Sequence, residues 1–273
     1  MRFILPLLIL ITVVLAWSDR SQDRQLFLWI NTGIPHALPV ALSPFWDTAM
    51  IVLTDLGDTH VMLWIILLVN LPWWMQVGRK NPEAVNLYWV VFAIVVVLAT
   101  VIAQGLKSIV GALRPASVLP PESLHILGNT LNYNSFPSGH TVTAFVGMCT
   151  LLPIIPASWR WFALTLAASI GFSRVGMGAH WPIDVAAGAF LGIVASMVSW
   201  QTAFWLQKKT PPGNTFWKKT YRGLALLGMF IMAANIAYTP FYELDHRYIR
   251  LGLIGLCLAA AIIWGYRRQS RSN

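Results

Sequence analysis

Apolar residues in this chain run in long blocks, separated by short polar breaks that hold most of its Lys, Arg, Gly and Pro. Such runs predict helical spans at about 3–17, 58–76, 84–106, 140–156, 159–175, 183–206, 222–239 and 249–266. Residues 22–31 mix Leu26, Phe27, Trp29 and Ile30 with polar neighbours, which fits either an interfacial amphipathic helix or a simple connecting helix. The polar stretch from Lys208 to Lys219, broken by Pro211, Pro212 and Gly213, predicts a connector. The expected fold is all-α, a polytopic membrane helical bundle. Its expected parts are a six-span core (1–206), a cytoplasmic linker (207–221) and a C-terminal two-helix extension with a basic tail (222–273). No internal repeat or low-complexity tract is visible.

Composition agrees with a bilayer as solvent. Of 273 residues, 57% are hydrophobic and 11% charged, whereas a soluble domain carries about 25% charged residues. The formal charge of +9 comes without a Lys/Arg-rich run interleaved with stacking aromatics, so nucleic acid is not expected as a partner. Sidedness explains the excess. With a cytoplasmic N-terminus, the inner loops hold Arg2, Arg79, Lys80, Arg160, Lys208, Lys209, Lys218, Lys219, Arg222, Arg267, Arg268 and Arg271, with Glu83 as their acid. Asp19, Asp23, Asp47, Asp55, Asp58, Glu122, Glu243 and Asp245 fall outside. This positive-inside bias predicts a multi-pass protein of a bacterial-type inner membrane.

Residues 1–17 share features with a signal peptide, but Leu15-Ala16-Trp17-Ser18 lacks the small-x-small pattern, so an uncleaved first span is expected. Cys149 and Cys257 fall inside spans and read as packing residues. Trp46, Trp73, Trp74 and Trp181 read as interfacial anchors.

Ionisable groups are rare at membrane depth unless they have a use, and here they recur at ordered spacings on the expected outer side. Lys107 and Arg114 are seven apart, close to two helical turns if the helix continues, although Gly111 and Pro115 suggest that it ends. Two snorkelling side chains are the plain alternative. Pro137-Ser138-Gly139-His140 precedes an apolar run: Ser138 suits an N-cap, Gly139 allows close approach of a ligand, and a helix N-terminus favours an anion. An ordinary capped helix is the alternative. Ser173-Arg174 is followed by His180 and Asp184, four apart, which share a face on a continuous helix unless Pro182 alters the register. An aspartate on one ring nitrogen leaves the other lone pair free for attack. A structural His–Asp pair is the alternative.

Together, Lys-x6-Arg-Pro, Pro-Ser-Gly-His and Ser-Arg-x5-His-x3-Asp resemble the type 2 phosphatidic acid phosphatase superfamily, every named position matching across roughly residues 1–206. The resemblance implies His180 as nucleophile oriented by Asp184, giving a phosphohistidine, and His140 as general acid and then base. It implies Lys107, Arg114 and Arg174, with Ser138 and the Gly139 N–H, as the phosphate cradle. No cofactor is expected, and three protein cations make a metal unnecessary. The implied activity is a metal-independent lipid phosphate or pyrophosphate phosphatase facing the periplasm. Its substrate class covers undecaprenyl pyrophosphate, phosphatidylglycerophosphate, phosphatidic acid and lipid A phosphate. A phosphotransferase with the same site, and a lipid transporter or scaffold, are the alternatives; ionisable groups gathered at one face speak against alternating access. No residue pattern indicates an oligomeric state.

Overall fold

A computed structural model describes residues 20–77, 81–129, 132–209, 219–220 and 223–230. Among these residues the secondary structure is helical, with no strand. Helix α1 (Arg20–Leu28) widens into a π-helical turn at Trp29–Gly33 and closes with a short turn at Ile34–Ala37. Then follow α2 (Ser43–Leu56), α3 (Thr59–Val77), α4 (Pro82–Val110), α5 (Gly139–Leu151), α6 (Ala157–Gly176) and α7 (Pro182–Lys208). The expected spans at 3–17 and 249–266 lie outside the described residues; within 222–239, residues 223–230 are helical.

Local chemistry accounts for the boundaries. Extended backbone at Leu38, forced by the following Pro39, ends the first helical segment, and Pro44 opens α2. Asp58 accepts the His60 N–H at 2.8 Å to start α3. Asn81 accepts the Ala84 N–H at 3.1 Å to start α4, with Pro82 in its first turn. Gly111, at φ +55°, ends α4 and donates its N–H to Lys107 O at 3.0 Å.

The stretch Glu83–Ser117 and the helix Pro182–Lys208 are long and apolar enough to cross a membrane. The pair Ser21–Ala37 and Val40–Leu56 passes the same test jointly, bent by 115° at its break. The segment before α3 therefore forms two packed helices; the apolar-run pattern anticipated only the first of them, at residues 22–31. Phe27 and Ile30 turn inward and Trp29 outward, so this segment packs one face against the bundle.

Helices α4, α5, α6 and α7 form the body. Their core holds Met62, Tyr88, Val91, Phe92, Ala144, Met148, Ala167 and Ile170, with Asn70 donating to the buried Tyr88 hydroxyl at 3.0 Å. Helix α7 approaches α5 closely through Gly188 and Gly192. A Cβ on Gly188 would sit 2.8 Å from Ser138 O, and one on Gly192 2.9 Å from Val142 O. Small residues let helix backbones meet this way. Trp74 stacks among Tyr88 and Trp89, and Trp46 meets Phe172 edge-on. Trp181 is buried against Phe27 and donates its indole N–H to Leu113 O at 2.9 Å. The anchor reading therefore fails for Trp181, whose polar edge finds a backbone partner inside the protein. Cys149 is a free, half-buried thiol; Cys257 lies outside the described residues.

Candidate active site

Four helix ends converge on one place. Lys107 occupies the last turn of α4 and Arg174 the last turn of α6, while Ser138 precedes α5 and Asp184 lies in the first turn of α7. Two helix N-termini and two cation-bearing C-terminal turns thus share one end of the bundle. Backbone bonds hold them there: Ser138 N donates to Asp184 O at 3.0 Å, and His180 N to Arg174 O at 3.1 Å. Lys107 Nζ reaches over the start of α5, 3.6 Å from where a Gly139 Cβ would be.

Helix α4 ends before Arg114, so the two cations do not share a helical face. The chain turns at Gly111, and the Arg114 guanidinium is fixed instead by Tyr133 O at 2.9 Å to Nε and Ala179 O at 2.9 Å to Nη1. The His180–Asp184 pair also forms without a continuous helix, because α7 begins at Pro182. Asp184 reaches back instead: its Oδ2 accepts the Trp181 N–H at 2.9 Å and lies 3.4 Å from His180 Nδ1.

The other face of the ring identifies its tautomer. Arg114 Nη1 lies 3.2 Å from His180 Nε2. A guanidinium can only donate, so Nε2 accepts and the ring proton sits on Nδ1, toward the carboxylate. Burial, with Arg114, Arg174 and Lys107 acting in the same direction, holds the His180 imidazole well below its ordinary pKa. The ring is therefore neutral, with its Nε2 lone pair engaged by Arg114.

Arg174 is buried, with Nη1 donating to Thr54 Oγ1 at 3.3 Å and Nε without a hydrogen-bond partner among the described residues. A buried guanidinium with a donor to spare is suited to an anion. The charges of Lys107, Arg174 and Asp58, with the His180 ring, all act on His140, and Lys107 feels Arg114, Arg174 and Asp184. Three cations and two imidazoles thus share one electrostatic neighbourhood beside a buried carboxylate. Ser138 stands at the N-cap position, but its hydroxyl accepts from Thr141 Oγ1 at 2.9 Å and makes no backbone cap bond. A cavity of about 130 Å³ is lined by Arg174 together with Ala116, Ile126, Leu127, Gly128, Asn129, Met177, Gly178 and Ala179.

The PAP2 superfamily model matches residues 87–208, from within α4 to the end of α7, so it takes in Lys107, His140, His180 and Asp184. Residues 87–208 form a PAP2 superfamily domain. The Bacillus licheniformis bacitracin transport permease protein BcrC is 33% identical over 147 residues, 52% of this chain and 66% of its own. An undecaprenyl-diphosphatase of Sulfolobus acidocaldarius is 36% identical over 106 residues, 38% of this chain and 50% of its own. The chain thus spans about two thirds of the first relative's length and half of the second's. The fold resembles the crystal structure of a transmembrane PAP2-type phosphatidylglycerolphosphate phosphatase from Bacillus subtilis, with TM-score 0.54 and 20% identity over 77% of this chain and 98% of that one. This PAP2 protein is a membrane protein.

Two side chains of the candidate site carry no sequence signal. Ser135, just before the Pro-Ser-Gly-His run, donates from Oγ to Asp184 Oδ2 at 2.5 Å. Thr54, at the end of α2, bridges Arg174 and the Ser173 hydroxyl, the latter at 2.9 Å. Their spacing marks nothing, because each acts across the fold.

Proposed function

We propose that this protein is an integral membrane phosphatase that hydrolyses a lipid phosphate or diphosphate through a phosphohistidine, with a six-span core and its site at the periplasmic face. The observation that carries the reading is the pair of contacts on His180: Asp184 at Nδ1 and Arg114 at Nε2, which leave a neutral nucleophile beside clustered cations.

An arriving phosphate competes with His180 Nε2 for the Arg114 guanidinium, because an anionic oxygen is the stronger acceptor. The Nε2 lone pair, released, attacks phosphorus as the bond to the leaving oxygen breaks, and His140 gives that oxygen a proton. Asp184 stabilises the imidazolium character that develops. Lys107, Arg114 and Arg174, with Ser138 and the Gly139 N–H, hold the non-bridging oxygens, so charge stabilisation and positioning do most of the catalysis. In the second step His140 takes a proton from water, the hydroxide attacks phosphorus, and the P–N bond breaks to return the electron pair to Nε2.

The positive-inside distribution of Lys and Arg supports the outward orientation. Similarity to an undecaprenyl-diphosphatase supports an isoprenoid diphosphate as the first substrate to test, followed by phosphatidylglycerophosphate, phosphatidic acid and lipid A phosphate. Purified protein is assayed for phosphate release from these four lipids, with and without an acceptor lipid, and acid-labile label on the protein is trapped by quenching. Release and label that both vanish in His180→Ala are expected. Transfer to the acceptor in place of release makes the protein a phosphotransferase; normal turnover by correctly inserted His180→Ala refutes the mechanism.

A further inference from the structure

Between Arg174 and His180 the chain passes through Gly176 and Gly178, the latter at φ +78°. A phosphate held by Arg174 and attacked by His180 depends on this soft turn keeping its two ends in register. The turn's own bonds include Ala179 N and His180 N, both to Arg174 O at 3.1 Å, while Leu127 N at 3.2 Å and Arg114 Nη1 at 2.9 Å hold Met177 O and Ala179 O from outside. A further set of restraints comes from α1 and its extension, far away in sequence.

Three residues of α1 and its π-helical extension face inward and are fully buried: Asp23, Phe27 and Asn31. They are spaced four apart, and the wider turn at Trp29–Gly33 rotates Asn31 back over the face that Asp23 and Phe27 share. Asp23 Oδ1 accepts the Ile183 N–H at 3.0 Å, the residue before Asp184. This places a carboxylate at the N-terminus of α7, where the helix dipole favours it. Phe27 packs on Trp181, the residue after His180, with ring centroids 5.2 Å apart. The Asn31 amide donates to Gly176 O at 2.9 Å, two residues after Arg174, and to His125 O at 2.7 Å, and accepts the His125 N–H at 2.9 Å. Every one of these contacts lands on a residue next to, or two removed from, a member of the site, or on His125, whose loop continues into residues lining the cavity beside Arg174. General helix packing needs no such set of buried polar bonds.

We propose that Asp23 and Asn31 are positioning residues for phosphoryl transfer: Asp23 fixes the turn that carries the His180–Asp184 pair, and Asn31 fixes the helix end that carries Arg174. The inference rests on the phosphohistidine reading above. The two residues act on different quantities. Displacing His180 slows attack on phosphorus, whereas displacing Arg174 weakens the grip on the anion.

The test uses the purified full chain with Asp23→Ala, Asp23→Asn and Asn31→Ala, alongside wild type and His180→Ala. Three constants are read on the lipid diphosphate that wild type turns over: the single-turnover rate constant for protein phosphorylation, KM, and the inhibition constant of orthovanadate. Asp23→Ala is expected to slow phosphorylation about 100-fold, the scale for a misplacement near 1 Å. Asp23→Asn, whose amide oxygen still accepts the Ile183 N–H, recovers most of that loss. Asn31→Ala is expected to raise KM and the orthovanadate constant about 10-fold, the scale of a weakened charged hydrogen bond. A merely structural role lowers the amplitude of turnover by leaving fewer folded molecules while these constants stay put, and that result overturns the proposal. If Asp23→Ala does not insert, Asp23→Ser, too short to reach Ile183, is compared with Asp23→Asn on the same constants. Inactive wild type, or active His180→Ala, removes the mechanism on which the proposal stands; active wild type with unaltered constants in the variants removes the positioning role alone.

Discussion

The Ser135 hydroxyl donates to Asp184 Oδ2, the same oxygen that faces His180 Nδ1. With the Trp181 N–H also on that oxygen, the carboxylate is held in place while it orients the ring. A hydrogen bond to a charged group contributes about 1.5–3 kcal/mol. Ser135→Ala should therefore lower kcat about 10-fold or more, with little change in KM, in steady-state phosphate release. Asp184→Asn should cost more, because an amide can present a donor to Nδ1 and move the ring proton to Nε2. Equal kcat in Ser135→Ala and wild type would show that the serine is not part of the orienting group.

Acidity should affect the site later than an ordinary histidine allows. His180 must be neutral to attack, and its pKa is depressed, so the folded protein resists its protonation as pH falls. The sign follows: the acid limb of kcat/KM that belongs to His180 lies below the unperturbed value of about 6.5. NMR of ring-labelled histidine in the resting protein should show His180 still neutral at pH near 6. Arg114→Gln removes one of the cations that depress it and should shift that titration upward. A His180 that titrates at or above the ordinary value would contradict the buried, cation-flanked geometry.

Arg174→Lys keeps a charge but loses the planar fork that spans Thr54 and the anion site. A fall in kcat/KM of about 10-fold or more is expected, with most of it in KM, since one charged hydrogen bond is lost. The cation set also predicts that turnover persists in excess chelator. Strict dependence on added magnesium would show that Lys107, Arg114 and Arg174 do not suffice for charge stabilisation.

Gly188→Ala probes whether the α5–α7 approach sets the site. The added Cβ would meet Ser138 O at 2.8 Å and Thr141 Cβ at 3.0 Å, so the helices must part. Overpacking of this kind costs about 1–3 kcal/mol. The thermal midpoint should fall, and activity should fall with it, because Ser138 N is bonded to Asp184 O across the same contact. An unchanged midpoint would mean that the two helix starts can shift freely.

Much of the helix plan could be read directly, since Pro82, Gly111, Pro156 and Pro182 act locally on backbone dihedrals and lie where α4, α6 and α7 begin or end. Helices α2 and α1 were harder. Met50 and Thr54 face inward on α2 while Phe45 and Val52 remain exposed, so no simple apolar run marks that helix. The Trp181 assignment failed because burial against Phe27 depends on residues more than a hundred positions apart.

From the amino-acid order alone came the length and apolarity of the helices and the chemical types of Lys107, Arg114, His140, Arg174, His180 and Asp184. These are properties of short windows, and short-range sterics and solvation govern them. Which nitrogen of His180 keeps its lone pair, which hydroxyl steadies Asp184, and how Asp23 and Asn31 hold the turn between Arg174 and His180 were decided by tertiary structure. Hydrogen bonds of this kind require atoms within about 3 Å of one another. Only the packed bundle brings residues 23, 31, 114 and 135 that close to residues 183, 176, 180 and 184.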